Sequence, residues 1–284
     1  MLVYLNGVFL DAQDAMVPVT DRGFVFGDGV YEVWRVVRGA LFESARHHAR
    51  LQRGLRELEL GAPPSVEADA LSRIAARLLA ANDLSRSEAT LYLQVTRGAA
   101  VRTHYYPPEG TPPTVYIAAA PFNAPDALRQ TGSSAITLPD IRWARCDLKT
   151  IQLLSNVLGK QRARERGAIE SIFVREGRLT EGSHCSLFGM VDGTLRTHPA
   201  SEAILHGVTR DVILELAAEL RLRVREEAIT TDEIAGLEEL FITGTTMDVM
   251  PIITLDDRPV GTGAPGPIAK ELFTRLRARL DALT

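Results

Sequence analysis

Two kinds of hydrophobic spacing alternate along the chain. In the first kind, short apolar runs rich in β-branched and aromatic residues stand on either side of a turn signal. The opening run at 2–10 has Asn6-Gly7 at its centre, and this pair is a strong signal for a tight β-hairpin. We therefore predict a hairpin there and further hairpins at 31–43 (turning at Arg38-Gly39), 170–182, 186–198 (turning at Asp192-Gly193) and 250–260.

The second kind of spacing places apolar residues three and four positions apart, which predicts amphipathic helices. One helix is expected from an N-cap at Ser44 to about Leu60, and another at 64–82, with Ser65 near its start and Asn82 near its end. Strands are expected at 89–98, 113–120 and 239–246. The remaining helices are expected at 151–165, from an N-cap at Thr209, and from near Pro267.

Hairpins and helices are intermixed without a regular strand–helix–strand rhythm. This order favours an α+β fold of two domains over a doubly wound parallel sheet. The stretch 121–133 contains proline and glycine and lacks sustained periodicity, so it is the best linker candidate. The sequence thus predicts a smaller N-terminal α+β domain at 1–120 and a larger C-terminal domain at 134–284.

Composition narrows the class of protein. The net charge is −4 with 24% charged residues, which gives no indication of the basic surface that nucleic-acid binding requires. No apolar run approaches membrane-spanning length, and the first residues lack a basic flank and an apolar signal core, so we expect a cytoplasmic protein. Cys146 and Cys185 are too few and too isolated to predict a disulfide framework or a zinc site.

Lys149 is one of only three lysines in the chain, beside 29 arginines. Arginine does not deprotonate in proteins, whereas lysine can. A position that needed only a positive charge would be arginine in this sequence. Lys149, between Leu148 and the apolar run that begins at Ile151, is therefore a candidate for amine chemistry.

Three other stretches add candidate chemistry to Lys149, namely one acid and two loops suited to a phosphate. Glu181 follows a hairpin strand and precedes Gly182 and Ser183, which permit close backbone approach. The run 207–209 opens a predicted helix, whose free N–H groups and dipole favour an anion, and the run 243–246 ends a strand in hydroxyl residues. A lysine, an acid and phosphate-binding loops are what pyridoxal 5′-phosphate requires.

Two other apparent motifs give little support for a function. Gly27-Asp28-Gly29 lacks the third glycine of a dinucleotide fingerprint and is interpreted as a tight turn, and no phosphate-binding P-loop is present. His47-His48 could suggest a metal site. Adjacent residues on a helix point in different directions, so we interpret this pair as a partly exposed helix surface.

Glu181-x-Ser183-x-x-Ser186-Leu187-Phe188, Leu195-x-Thr197 and Leu205-x-Gly207-Val208-x-Arg210 together resemble the fold-type IV, or class IV, aminotransferases. The resemblance extends along nearly the whole chain and implies two domains with the active site between them. Ser186 departs from the asparagine usual in the family, His184 and Cys185 from small hydroxyl residues, and Gly244 from a common serine.

The resemblance also implies roles for individual residues. Lys149 would be the Schiff-base lysine and the general base, and Glu181 would keep the pyridine nitrogen of pyridoxal 5′-phosphate protonated. Leu205 would pack behind the pyridine ring. The phosphate would be held by Arg50, Val208, Thr209, Gly244 and Thr245, with Ser183 close to the cofactor.

Within the family, the runs 21–33 and 95–107 are most similar to the D-amino acid aminotransferases. Tyr31, Arg102 and His104 match the carboxylate-binding trio of those enzymes, in which the Arg-x-His pair comes from a second subunit. A homodimer with shared active sites is therefore expected. The substrates would be a D-amino acid, such as D-alanine or D-glutamate, and a 2-oxo acid, such as 2-oxoglutarate or pyruvate.

Other functions remain open at this stage. The same fold carries branched-chain L-amino acid aminotransferases, (R)-amine transaminases and aminodeoxychorismate lyase, against which the Arg102-x-His104 pair argues. A non-catalytic cofactor-binding or scaffold protein would have no use for both Lys149 and Glu181.

Overall fold

The computed structural model describes residues 1–283, so the last position of the predicted second domain lies outside it. The chain divides into two compact units. The first comprises Met1–Asn123 with Leu148–Gln152, and the second comprises Ala124–Asp147 with Leu153–Ala282. The segment 148–152, which carries Lys149, belongs to the first unit, whereas the predicted limits placed it in the domain 134–284.

The first unit is built on an antiparallel sheet with the strand order β2-β1-β6-β5-β3-β4. Its longest pairing joins β3 to β5 over nine positions, from Gly29 opposite Thr96 to Val37 opposite Glu88. The strands are β1 (Leu2–Leu5), β2 (Val8–Asp11), β3 (Gly29–Val37), β4 (Ala40–Leu41), β5 (Glu88–Thr96) and β6 (Thr114–Pro121).

Helices α1 (Arg22–Phe26), α2 (Ser44–Glu57) and α3 (Ala68–Ala81) complete the first unit. The helix α2 lies so close to β3 that a Cβ at Gly54 would be 3.2 Å from Cγ1 of Val30. Leu55 and Leu78 are fully buried in the core between helices and sheet. Full burial of such a side chain contributes roughly 1.5–3 kcal/mol, which makes this core a rigid base for the residues on β3 and α2.

The second unit contains a mixed sheet with the order β12-β11-β10-β13-β14-β7-β8-β9, and β15 pairs with β14. Its parallel pairs are β11 with β12, β14 with β7, and β7 with β8. The strands are β7 (Ser133–Pro139), β8 (Glu170–Arg175), β9 (Arg178–Gly182), β10 (Ser186–Val191), β11 (Thr194–Thr197), β12 (Val224–Glu226), β13 (Glu239–Gly244), β14 (Asp248–Leu255) and β15 (Arg258–Pro259).

Helices α4 (Asp126–Thr131), α5 (Leu154–Glu165), α6 (Val208–Glu219) and α7 (Pro267–Asp281) belong to the second unit. The helix α5 approaches β8 closely, because a Cβ at Gly159 would lie 2.8 Å from the ring of Phe173. The helix α6 packs on β13 and on α7. The core of this unit holds Phe188 and Phe241, whose rings stack 5.3 Å apart on adjacent strands. Among residues 1–283, no helix combines the length and the apolar character needed to span a membrane.

The predicted α+β fold class is confirmed, and so are the hairpins. Asn6 and Gly7 adopt the positive φ angles of 49° and 96° that the first turn requires. Arg38-Gly39 and Asp192-Gly193 likewise form the turns that were expected of them.

Four helix starts differ from the prediction. The helix predicted at 64–82 begins at Ala68, after a separate 3-10 turn at Pro64–Val66. Ser44 is the first helical residue and makes no capping hydrogen bond, because Glu43 occupies the cap position in a left-handed conformation. Thr209 lies inside α6, whose cap is Gly207. The helix α5 starts at Leu154 rather than at 151, since Thr150 pairs with Val30 instead. The predicted linker also differs, because it contains α4.

Candidate active site

Lys149 lies in an irregular segment that is bound to β3 by its backbone. Its carbonyl accepts a hydrogen bond from the Tyr31 amide at 3.0 Å, and the next residue, Thr150, forms a bridge with Val30. The Nζ atom of the half-buried Lys149 side chain lies 4.3 Å from the centre of the Tyr31 ring. The backbone of this lysine is thus fixed to a rigid sheet, while its amine remains available for chemistry.

Arg50 belongs to a buried cluster of charged side chains around Glu32 of β3. Its Nε and Nη2 donate to the two carboxylate oxygens of Glu32 at 2.8 and 2.7 Å, in the forked geometry that suits arginine. His47 Nδ1 lies 3.0 Å from the same carboxylate. Burial alone would raise the pKa of Glu32, but the charge of Arg50 and the bonds from His47 and Arg50 lower it below its ordinary value. Glu32 is therefore ionised and holds Arg50 in one orientation.

His47 corrects the interpretation of the His47-His48 pair. Its side chain is 1% exposed and does not lie on an exposed helix surface. Burial lowers the pKa of His47, against the effect of Glu32. A neutral imidazole bound to an ionised carboxylate must carry its proton on the bonded Nδ1, since the carboxylate can only accept. His47 therefore acts as a neutral donor that fixes Glu32.

Within one chain, Tyr31 contacts different residues from Arg102 and His104, the other two members of the expected substrate-binding trio. Tyr31 stacks on Tyr92 at 5.8 Å and faces Lys149. Arg102 and His104 are exposed and both flank the ring of Phe26, at 5.1 and 5.6 Å. No hydrogen bond or ring contact joins Tyr31 to Arg102 or His104 in the part of the chain that the structure describes.

Glu181 lies on β9 in the second unit, and its side chain is buried. Its Oε1 atom accepts hydrogen bonds from Nη1 of Arg142 and, at 3.0 Å, from the Leu205 amide. Burial raises the pKa of the Glu181 carboxyl to about 7, and the effects of Arg142 and Leu205 only partly offset it. Within residues 1–283, Oε2 receives no hydrogen bond, so one carboxylate oxygen is left for a ligand.

Arg142 holds Glu181 through a network of its own. Its Nη2 donates to Asp140 at 2.9 Å and to the Ala203 carbonyl at 3.1 Å. Arg175 also contacts Asp140, at 3.0 Å. Because the guanidinium is anchored at several points, it presents Nη1 to Glu181 in a fixed direction.

The start of α6 has the properties of an anion-binding site. Gly207 caps the helix with an extended backbone and no side-chain capping bond. The helix is twelve residues long and opens with the buried Val208 and Thr209, whose amides lie in the first turn. A Cβ at Gly207 would lie 2.6 Å from Oγ of Ser186, so only glycine permits this close approach. The free amides of the first turn favour a phosphate.

A second loop with phosphate-type donors follows β13. Thr243 is 1% exposed, and its hydroxyl has no hydrogen-bond partner among the described residues. Gly244 and Thr245 come next in a turn that Arg129 holds by donating to the carbonyls of Thr246 and Met247 at 3.3 and 3.1 Å. A salt bridge of 3.0 Å joins Arg129 to Asp248, which begins the next strand.

The segment after Glu181 is fixed by Glu170, a residue on the adjacent strand. Glu170 accepts a hydrogen bond from the Ser183 amide at 3.1 Å and contacts Nδ1 of His184 at 2.8 Å. Burial alone would raise the pKa of Glu170, but the hydrogen bond and charge of His184 lower it to about 2. Cys185 is buried beside Glu170, so burial and the carboxylate both raise the pKa of its thiol.

The structure adds residues that the sequence did not single out, namely Glu32, Glu170 and Arg142, which hold Arg50, the segment after Glu181, and Glu181 itself. Each is an ordinary charged residue whose role depends on burial beside a distant partner. The sequence contained one weak signal, since Arg142 stands seven residues before Lys149 in the same irregular stretch.

Comparison with known proteins identifies the family. A sequence model described as amino-transferase class IV matches residues 29–255. The chain is a class IV aminotransferase. This aminotransferase is 41% identical to a D-alanine aminotransferase of Bacillus licheniformis over 277 residues, which are 98% of this chain and 96% of that protein. A D-alanine aminotransferase of Staphylococcus aureus is 37% identical, over 95% of this chain and 94% of its own.

The fold of this aminotransferase also matches solved structures. The branched-chain amino acid aminotransferase of Escherichia coli aligns with a TM-score of 0.88 at 26% identity, covering 98% of this chain and 93% of that one. The fold-type IV expectation is thereby confirmed, as is pyridoxal 5′-phosphate as the cofactor of the family. The roles of the individual site residues stay predictions.

The side chains of this aminotransferase fit that cofactor. The Oε2 atom of Glu181 is open to a cationic ring nitrogen, which would favour the ionised form of a carboxyl whose pKa burial raises. The uncapped start of α6 and the unpaired hydroxyl of Thr243 can serve a phosphate. Lys149 would supply the amine. Among residues 1–283, no cluster of His, Cys, Asp and Glu could hold a metal ion.

The raised pKa of Glu181 predicts a pH dependence of stability. Between its ordinary value of 4.5 and about 7, the folded cofactor-free protein binds a proton that the unfolded chain does not. The stabilisation by this proton is fully present below pH 4.5 and is lost as the pH rises through 7. Because Gln cannot titrate, the stability of wild type relative to Glu181→Gln should fall by about 3 kcal/mol across this range.

Urea unfolding of both proteins at several pH values measures this difference. All other titrating groups are common to the two proteins, so their contributions cancel. A difference that stays constant or increases with pH would contradict the raised pKa.

Proposed function

We propose that this protein transfers the amino group of a D-amino acid, such as D-alanine or D-glutamate, to a 2-oxo acid, such as 2-oxoglutarate or pyruvate. The observation that carries this proposal is the 41% identity, over nearly the whole of both chains, to a protein named D-alanine aminotransferase. The chemistry of Lys149 and the buried acid Glu181 supports a transaminase rather than a scaffold.

Lys149 is the reacting amine in this proposal. Pyridoxal 5′-phosphate, when bound, supplies an aldehyde that condenses with amines and a cationic ring that accepts electrons. The Nζ atom of Lys149, once neutral, would remove the proton from the substrate Cα and deliver a proton to C4′ of the cofactor, which makes this residue the general base. The backbone bond to Tyr31 keeps the base at one position during both transfers.

Glu181 and the phosphate-binding groups orient the cofactor. Glu181 in its ionised form would accept the N–H of the ring through Oε2, while Arg142 and the Leu205 amide hold Oε1. Arg50, the first-turn amides at Val208 and Thr209, and the turn at Gly244 and Thr245 bind the phosphate. Gly244 lacks the side-chain donor of a serine, so only its backbone contributes.

Stereochemistry follows from where the substrate carboxylate is held. The Cα–H bond must point at the base for proton transfer, so the enantiomer that reacts depends on the side of the pocket that binds the carboxylate. Arg102 offers a planar fork of donors that matches a carboxylate, and His104 and Tyr31 add further donors. These three residues support a preference for D-amino acids.

A branched-chain L-amino acid aminotransferase is the second candidate. The E. coli enzyme of that name shares the fold with a TM-score of 0.88, but its identity of 26% is well below the 41% of the D-alanine relative. The presence of Arg102 and His104 argues against this candidate. It also argues against an (R)-amine substrate, which carries no carboxylate to bind.

We further propose that the protein is a homodimer, because each unit exposes apolar side chains. On α5, Leu154 is 71% and Val157 59% exposed, and with Leu158 they line one face at helical spacing. Such clustered apolar exposure marks an interaction surface. The second copy would cover these residues and, in the first unit, Met16, Val19, Phe24, Val101 and Tyr105. The cytoplasmic location stays a prediction that cell fractionation would test.

Replacing the reacting amine provides the first test. Lys149→Ala should abolish transamination while leaving the melting temperature within a few degrees of wild type, because alanine has no amine to form the imine. Lys160→Arg is the matched control and should retain activity. Borohydride reduction of the loaded wild type, followed by peptide mapping, should label Lys149; a label on Lys160 or Lys270 would refute the assignment.

Substrate preference provides the second test. With 2-oxoglutarate as acceptor, kcat/KM for D-alanine or D-glutamate should exceed that for the L-forms by at least about a hundredfold. Arg102→Ala should raise KM for D-alanine about tenfold or more, since a charge-assisted hydrogen bond is worth about 1.5–3 kcal/mol. A wild type that prefers L-valine or L-leucine would replace the D-specific proposal by the branched-chain alternative.

The assembly state provides the third test. Sedimentation should give twice the 31.1 kDa mass of the chain for wild type. Val157→Glu should shift the protein towards the monomer and lower activity, because a buried unpaired carboxylate opposes association. Val8→Glu is a matched control, since Val8 is also 59% exposed but lies on β2. A monomeric, fully active wild type would disprove the dimer.

A further inference from the structure

The segment 101–106, which carries Arg102 and His104, has little backbone support. Within the described chain, no helix or strand includes these residues, and none of them makes a backbone–backbone hydrogen bond. Val101 is 83% exposed. Side chains that bind a substrate must be held in a fixed orientation, so side chains from other parts of the chain must hold this segment in place.

Arg22, the first residue of α1, holds the centre of the segment. Its side chain is almost fully buried, and Nη1 donates to the Thr103 carbonyl at 2.9 Å. Its Nε donates to Asp28 at 2.8 Å. Thr103 stands between Arg102 and His104, and its carbonyl belongs to the peptide group that joins it to His104. The bond from Arg22 therefore fixes the backbone between the two proposed carboxylate-binding residues.

Phe26, four residues later on α1, provides the second contact. The guanidinium of Arg22 lies 4.8 Å from the centre of its ring, that of Arg102 5.1 Å, and the His104 ring 5.6 Å. A cation over an aromatic face is attracted by the ring quadrupole. Arg22 and Phe26, on one helix turn, therefore hold both the backbone and the side chains of the Arg102-x-His104 pair.

Asp28 links Arg22 to a second arginine, Arg97, which also contacts the segment 101–106. Its carboxylate also accepts hydrogen bonds from Nε of Arg97 at 3.1 and 2.9 Å. The Arg97 guanidinium lies 3.8 Å from the centre of the Tyr106 ring and donates to the Leu58 carbonyl at 2.7 Å. The segment is thus held in its middle by Arg22 and at its end by Arg97, and both arginines share one carboxylate.

We propose that Arg22 is a positioning residue for substrate recognition, which sets the direction of Arg102 and His104 by holding the Thr103 carbonyl and the Phe26 ring. This proposal rests on the proposed function, in which Arg102 and His104 bind the substrate carboxylate. Arg22 acts without touching the substrate in this proposal, because its Nε and Nη1 donate to Asp28 and Thr103. It determines substrate affinity through the pair that it holds.

The chemistry requires arginine at this position. One planar guanidinium donates in two directions at once and lies flat against a ring, whereas a lysine ammonium is a point charge without a planar fork. Arg22→Lys therefore keeps the charge beside Asp28 but loses the simultaneous hold on Thr103 and Phe26. This substitution is informative because it keeps the positive charge and removes only the contacts that position the segment.

A mutant cycle tests the proposal. In the loaded enzyme, Arg22→Lys should raise KM for D-alanine about tenfold with kcat within about twofold of wild type. In a background that carries Arg102→Ala and His104→Ala, the same substitution should change KM by less than about twofold, because residues that act through one another are not additive. Cofactor retention on dialysis should be equal in all variants.

Arg35→Lys is the matched control. Arg35 is also buried in the first unit, pairs with Glu88 and lies 3.6 Å from the centre of the Phe122 ring. It should lose thermal stability without a change in KM. If Arg22→Lys does not fold, Phe26→Leu decides the question, because it removes the ring that the three side chains share and should raise KM in the same way.

The outcomes separate this proposal from the proposed function. An active wild type in which Arg22→Lys leaves KM unchanged, or in which its effect simply adds to the loss of Arg102 and His104, would overturn the positioning role alone. An equal rise in KM for Arg35→Lys would also overturn it, since the effect would then be general destabilisation. A wild type inactive on D-alanine would overturn both.

Discussion

The hydrogen bond between Arg142 and Glu181 joins two charges that would each be costly to bury alone. A buried carboxylate needs a counter-charge and hydrogen bonds, and without them it takes up a proton. Arg142 and the Leu205 amide satisfy one oxygen of Glu181 and leave the other open. A ligand with a positive nitrogen would complete the set, and it would further favour the ionised form of Glu181.

The same constraint governs the other predicted site residues. Arg50 is held by Glu32, the segment after Glu181 by Glu170, and the turn after β13 by Arg129. In each case a buried charged side chain contacts a different element, so the contact also fixes the position of one element relative to another. Since breaking such a pair leaves an uncompensated charge, each pair stabilises one geometry of the site.

Much of the fold could be predicted from the sequence, because it depends on local signals. Turn pairs such as Asn6-Gly7 and Asp192-Gly193 require positive φ angles that few residues adopt, and apolar spacing distinguishes strand from helix. Lys149 stood out because lysine is rare here, and Glu181 because its neighbours match a motif. The helix starts were less predictable: Ser44 has a capping side chain, but the left-handed Glu43 takes the cap position.

The supporting residues could not be predicted, because their roles depend on distant contacts. Nothing near His47 in the sequence indicates that it lies against Glu32, fifteen residues earlier. Arg22 and Thr103 are separated by 81 positions. Charged residues are usually exposed, so a charged residue that is buried and paired has the same local sequence signature as one on the surface.

The return of the chain to the first unit at 148–152 limits how the protein can be divided. A gene fragment that ends at Asn123 would encode the sheet and helices of the first unit but not Lys149, nor the Thr150 that pairs with Val30. The complementary fragment would carry the lysine away from its hydrogen-bond partner at Tyr31. The first unit as a separate module therefore consists of residues 1–123 together with the lysine segment 148–152.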